Sequence, residues 1–145
     1  MNSTFVTRIG VAILALTGLA VGGYATVAPR HFYDEFPFGR AWIAVDGPFN
    51  EHLLRDFGAL NLALGVVALC AVFWLARPLV IATALGWLVY SVPHLGYHVF
   101  NLDHYDSEDQ VGLVVTLVAT PVVALVVLLL GLRDRSRPAA DRNYS

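Results

Sequence analysis

Four stretches of the chain carry no charged side chain, and their length restricts the fold more than any other feature. Arg8 and Arg30 enclose 21 such residues, Asp56 and Arg77 enclose 20, Arg77 and Asp103 enclose 25, and Asp109 and Arg133 enclose 23. A helix rising about 1.5 Å per residue needs roughly 20 residues to cross about 30 Å of hydrocarbon, so each stretch is long enough to span a bilayer. A soluble helical core is the competing reading, and it fails because four helices apolar all round have no amphipathic face to turn toward water. With 57% apolar and 14% charged residues, the 145-residue chain lies outside the usual soluble range. The expectation is an all-α protein, an antiparallel four-helix transmembrane bundle. Its spans fall at about 8–29, 56–76, 78–101 and 110–132, with an outer aromatic segment at 30–50 and a disordered tail at 133–145.

Charge sets the expected orientation. Arg8, Arg77, Arg133, Arg135, Arg137 and Arg142 fall at one end of the spans, and Arg30, Arg40 and Arg55 at the other. The positive-inside rule places the six-arginine end, and with it both termini, in the cytoplasm. Nine of the 11 acidic residues lie in the outer segments, with only Asp134 and Asp141 inside. A multi-pass protein of a bacterial plasma membrane is the expected setting, with lipid as its constant partner and no nucleic acid. The single cysteine, Cys70, lies mid-span, where it forms no internal disulfide and reads as a small apolar residue.

The connections are a long outer segment, a minimal turn at Ala76-Arg77-Pro78 and a short acidic loop at 101–109. Short turns predict that helices two and three, and three and four, lie side by side. Gly18 and Gly22, and the stripe Gly58, Asn61, Gly65 and Ala68, have the small-residue spacing that brings membrane helices close. In the outer segment Phe32, Tyr33, Phe36, Phe38 and Trp42 read as an interfacial belt. Asp46, followed by Gly47-Pro48, reads as the cap of a helix start.

All five histidines, His31, His52, His94, His98 and His104, lie toward the outer side. In the third span, Thr83, Trp87, Tyr90, Ser91, His94, Tyr97, His98 and Asn101 fall within one arc of about 120° at 100° per residue. Polar and ionisable groups inside a membrane are costly and point to function, whereas the structural reading is a hydrogen-bonded layer that glues helices together. His94 and His98, four apart, are spaced as two imidazoles that hold one metal ion, with His52, Asp56 and His104 as further candidate ligands. Zinc, iron or copper would suit imidazole with carboxylate; haem would need histidines facing each other across helices. Tyr90, Tyr97, Asn101, Glu51 and Arg55 are candidates for lining a polar pocket, although an inward Glu51–Arg55 pair competes with an inward His52–Asp56 pair. On the fourth span Asp109, Gly112, Thr116 and Thr120 share a face that is expected to line the same cavity.

The stretches His31-Phe32-Tyr33-Asp34-Glu35-Phe36-Pro37, Asn50-Glu51-His52-Leu53-Leu54-Arg55-Asp56-Phe57-Gly58-Ala59 and Pro93-His94-Leu95-Gly96-Tyr97-His98 resemble small actinobacterial four-helix membrane proteins without an assigned activity, loosely similar to the DoxX-like superfamily. That resemblance spans about residues 24–130 and implies the four-helix membrane fold. The wider set includes a proposed quinone-linked thiosulfate oxidation subunit, but no motif here carries that reaction over.

Two functional expectations follow. One is a binding or accessory protein whose outer-leaflet pocket takes a metal ion, a quinone or a lipid headgroup, or supports a partner complex. The other is an enzyme at the outer face, either a quinone-linked oxidoreductase or a metal-dependent hydrolase, with Glu51 or Asp56 as base. A channel needs polar groups along the whole depth, and the inner half supplies almost none.

Overall fold

The computed structural model describes residues 3–133, so the expected disordered tail, Arg133 apart, lies outside the described residues. The order is α1 (Ser3–Val27), α2 (Pro29–Glu35), α3 (Trp42–Val45), α4 (Glu51–Trp74), α5 (Arg77–Val99), a 3-10 turn (Leu102–His104) and α6 (Ser107–Arg133), with no strand among the described residues. Four of these, α1, α4, α5 and α6, are long and apolar enough to cross a membrane.

Local chemistry explains the boundaries. Asn50 caps α4, its side-chain oxygen accepting the Leu53 N–H at 3.1 Å, and Glu51 places an acid in the first turn, where the helix dipole favours it. The cap expected at Asp46 is therefore corrected to Asn50: Asp46 closes α3 instead, and Gly47, with φ 149°, breaks the chain between them. At its other end α4 stops at Leu75 in the left-handed region, φ 44°, and Pro78 starts α5 from its first turn. Pro93 lies within α5, which continues to Val99.

The closest helix pair is α1 with α4. A Cβ placed on Gly18 would sit 2.6 Å from the Asn61 carbonyl oxygen and 2.7 Å from Gly65 Cα, and one on Gly22 would sit 2.5 Å from Leu62 N. The two backbones touch there, the glycine spacing having marked both faces for packing without pairing them. Next come α5 with α6, where Gly131 lies against Val80 and Ile81. Helices α4 and α5, joined by the tightest turn, make few contacts, so the short connection does not give α4 its main partner. The reason is side-chain size: α4 turns its glycine stripe to α1, whereas α5 carries Trp87 and Tyr90 on the face toward α4.

The core changes along its length. At the end where residues 3, 75, 77 and 131 gather, Val11, Ala71, Val80, Ala84 and Val127 form one cluster drawn from all four long helices. A second layer, Leu14, Ala15, Ala68, Trp87 and Ala124, also draws on all four. At the opposite end, which bears the loops, the core divides. Ala25, Phe32 and Leu54 join α1, α2 and α4, while Trp42, Tyr105 and Leu113 join α3, the 3-10 turn and α6. Outward faces carry exposed Leu16, Phe73, Trp74 and Val89, which suit lipid rather than water. Helix α6 combines the highest mean hydropathy, 2.9, with the smallest buried share, 17%, and presents the most apolar surface to lipid.

Candidate functional site

The polar stripe of α5 faces inward at the loop end. Thr83, Trp87, Ser91 and His98 are buried, Tyr90 and His94 are half-buried, and Tyr97 is exposed. These groups continue a row that starts in residues 42–46 and at Tyr105. Tyr105 Oη lies 3.1 Å from Asp46 Oδ1 and 3.2 Å from the Trp42 carbonyl oxygen, and shares its one proton between them. The other carboxylate oxygen, Asp46 Oδ2, is 4.0 Å from His98 Nε2. His98 meets His94 edge to face with ring centroids 4.8 Å apart, and His94 stacks on Tyr90 at 5.5 Å with the planes 17° apart. Asn61 Nδ2 then donates to Tyr90 Oη at 3.2 Å and to the Phe57 carbonyl at 3.0 Å.

The row Asp46, His98, His94, Tyr90, Asn61 therefore runs from the loop end to the glycine seam of α1 and α4. Phe57 of α4 closes one side of it, 6.4 Å from both the Tyr90 and the His94 rings. Asn61 is 2% exposed, so its amide is available only to protein groups or to a bound molecule. Among the described residues no hydrogen bond reaches His98 Nδ1, Ser91 Oγ, Thr83 Oγ1 or Trp87 Nε1, all buried. Buried polar atoms of this kind carry a desolvation penalty of about 1–3 kcal/mol each unless partnered.

Burial raises the Tyr105 hydroxyl above its ordinary pKa, and the Asp46 carboxylate adds to the effect. The phenol is accordingly a hydrogen-bond donor across the physiological range. On the far side of α3, the Arg40 guanidinium pairs with Asp109, and Gly112 lies against the Trp42 ring. These contacts strap residues 40–46 across the mouth of the row.

Other candidates lie elsewhere. His52 and Asp56 pair with each other at 3.3 Å on the surface, their side chains 88% and 65% exposed. Arg55 donates to Glu51 and to the Thr26 carbonyl oxygen, tying α4 to the end of α1, so neither pair faces the bundle interior. His104 is exposed on the loop, and Asn101 donates back to the Tyr97 carbonyl at 2.7 Å. His31 contacts Tyr24. On α6 the Thr116 hydroxyl returns to the Gly112 and Leu113 carbonyls, so this face does not extend the row. Among the described residues no group of three or more His, Cys, Asp or Glu is placed to hold a metal ion. His94 and His98 share α5 and so do not face each other across helices, while His52 and His104 are exposed.

The stripe on α5 and Asn61 were readable from periodicity, whereas Asp46, Tyr105 and Phe57 were not assigned to the site. Asp46 and Tyr105 lie in irregular segments, where no period fixes direction. Phe57 follows Asp56 at the start of an apolar run, where nothing marks its facing. No protein-family model, curated protein or solved structure matches this chain.

Proposed function

We propose that this protein is a ligand-binding or accessory component of a bacterial plasma membrane. In this reading it is an antiparallel four-helix bundle with cytoplasmic termini, and its histidine-tyrosine row takes the headgroup of a quinone from the outer leaflet. The orientation rests on the arginine asymmetry. One observation carries the ligand reading: the contacting rings of Phe57, Tyr90 and His94 lie where α4 meets α5, the neighbouring pair of long helices that packs least. A planar ring with carbonyl acceptors suits such neighbours once α4 and α5 part to admit it. Tyr90 already accepts from Asn61 and keeps its own proton to donate, and the His94 ring nitrogens make no hydrogen bond within the described residues. The same groups would serve a quinone-linked oxidoreductase, since a phenol and two imidazoles beside a carboxylate are groups that take up and release protons.

The test is titration of the purified, detergent-solubilised protein with a short-chain naphthoquinone, read by quenching of tryptophan fluorescence, with Trp87 in edge contact with Tyr90. Saturable binding is expected. Tyr90→Phe should weaken it about fivefold, the size of one net hydrogen bond of about 1 kcal/mol, and His94→Ala should weaken it further. Non-saturable quenching in the parent protein, or equal affinity in both variants, would remove the quinone reading. Reduction of the bound quinone by an added donor would move the protein from binding component to oxidoreductase.

A further inference from the structure

At the end of the bundle remote from the histidines, a cavity of about 40 Å³ opens between the starts of α1 and α5 and the end of α6. Ser3, Thr4, Thr7 and Arg77 form its polar wall, and Leu75 and Leu130 are among its apolar neighbours. The guanidinium is held in place from one side: Arg77 Nε donates to the Gly131 carbonyl oxygen at 2.9 Å. Its Nη2 is buried and has no hydrogen-bond partner among the described residues. A charged N–H withdrawn from water without an acceptor is costly, and a small turn of the guanidinium toward an anion in the adjoining cavity would supply one.

None of the described lining residues is acidic, so none of them supplies the guanidinium with a counter-ion. The Thr7 hydroxyl donates to the Ser3 carbonyl at 2.9 Å, and α5 begins at Arg77 without a side-chain cap. Arginine presents its donors in a planar fork, which suits an oxyanion with several oxygens in fixed geometry better than a single acceptor. The cavity also lies where the apolar spans end, the depth at which lipid headgroups sit.

We infer that this cavity binds a phosphoryl oxyanion through Arg77, supplied by a phospholipid headgroup or by free phosphate. This site is separate from the histidine row, and neither reading depends on the other.

Native mass spectrometry of the full chain in detergent tests it, comparing retention of dioleoylphosphatidylglycerol with that of dioleoylglycerol, which has the same chains and no phosphate. The phosphate-bearing lipid should be retained selectively. Arg77→Gln should lower that retention about tenfold, the size of one charge-assisted hydrogen bond, whereas Arg8→Gln, an exposed arginine at the same end, should not. Leu130→Phe narrows the cavity without touching Arg77 and should also reduce retention, so the test survives if Arg77→Gln does not fold. Displacement of the lipid by excess inorganic phosphate would show that the phosphoryl group alone suffices; resistance to displacement would assign the site to the lipid. Equal retention of the two lipids, or undiminished retention in Arg77→Gln or in Leu130→Phe, overturns the inference.

Discussion

Tyr105 shows how much a single side chain does at the loop end, since its hydroxyl joins the Asp46 carboxylate to the Trp42 carbonyl while its ring packs on Trp42 and Leu113. Tyr105→Phe keeps the ring and removes the hydroxyl, so a loss of about 1 kcal/mol is expected by reversible unfolding in mixed micelles. The pH response has a definite sign. The folded pKa of Tyr105 is raised above the ordinary value of about 10, so the unfolded chain loses this proton first. Its contribution is fully present below about pH 10 and falls as the pH rises above it. The parent protein should therefore lose stability more steeply above pH 10 than Tyr105→Phe; parallel curves would contradict the assignment. None of this was legible beforehand, because a tyrosine in an acidic loop gives no periodic clue to its partner. His94 and His98 were legible because helix geometry alone puts residues four apart on one face.

Among the elements, α1 and α4 meet along glycine faces that the sequence marked for packing without naming their partner. Gly18→Ala places a methyl group against the backbone of α4 and should destabilise the bundle by about 1–3 kcal/mol. Gly23 is the internal control, since nothing lies within 4 Å of a Cβ there. Gly23→Ala should be neutral, or stabilising by up to about 1 kcal/mol through helix propensity. Equal stabilities for the two variants, measured by unfolding, would show that the glycine seam is not close-packed. The short helix α3 was not legible. Its cap Ala41 stands at φ 53°, a left-handed conformation no residue type announced, and Ala41→Gly should stabilise by about 1 kcal/mol. In the acidic loop 101–109, Asp109 pairs with Arg40 and Asp106 accepts the Asp109 N–H, so these two acids serve as ion pair and cap.

For the molecule as a whole, four spans were readable because hydrocarbon thickness fixes a length that few soluble helices reach. Which helices embrace was only half readable: glycines announce a close pair, but a short turn does not oblige its two helices to pack. The proposed orientation predicts that, with Cys70 replaced by Ala, Phe38→Cys reacts with an impermeant thiol reagent on intact cells. Ala76→Cys should react only after permeabilisation; the reverse pattern would invert the topology. The division of the core has a mechanical consequence. One end is a single core drawn from all four long helices; at the other, one cluster joins α1, α2 and α4, a second joins α3, Tyr105 and α6, and polar and ring contacts from Asn61 and Phe57 link α4 to α5 between them. A bundle built that way is expected to loosen first at its loop end, so Arg40→Ala, which removes the Asp109 partner, should speed amide exchange there while the core around Ala71 and Ala84 stays protected.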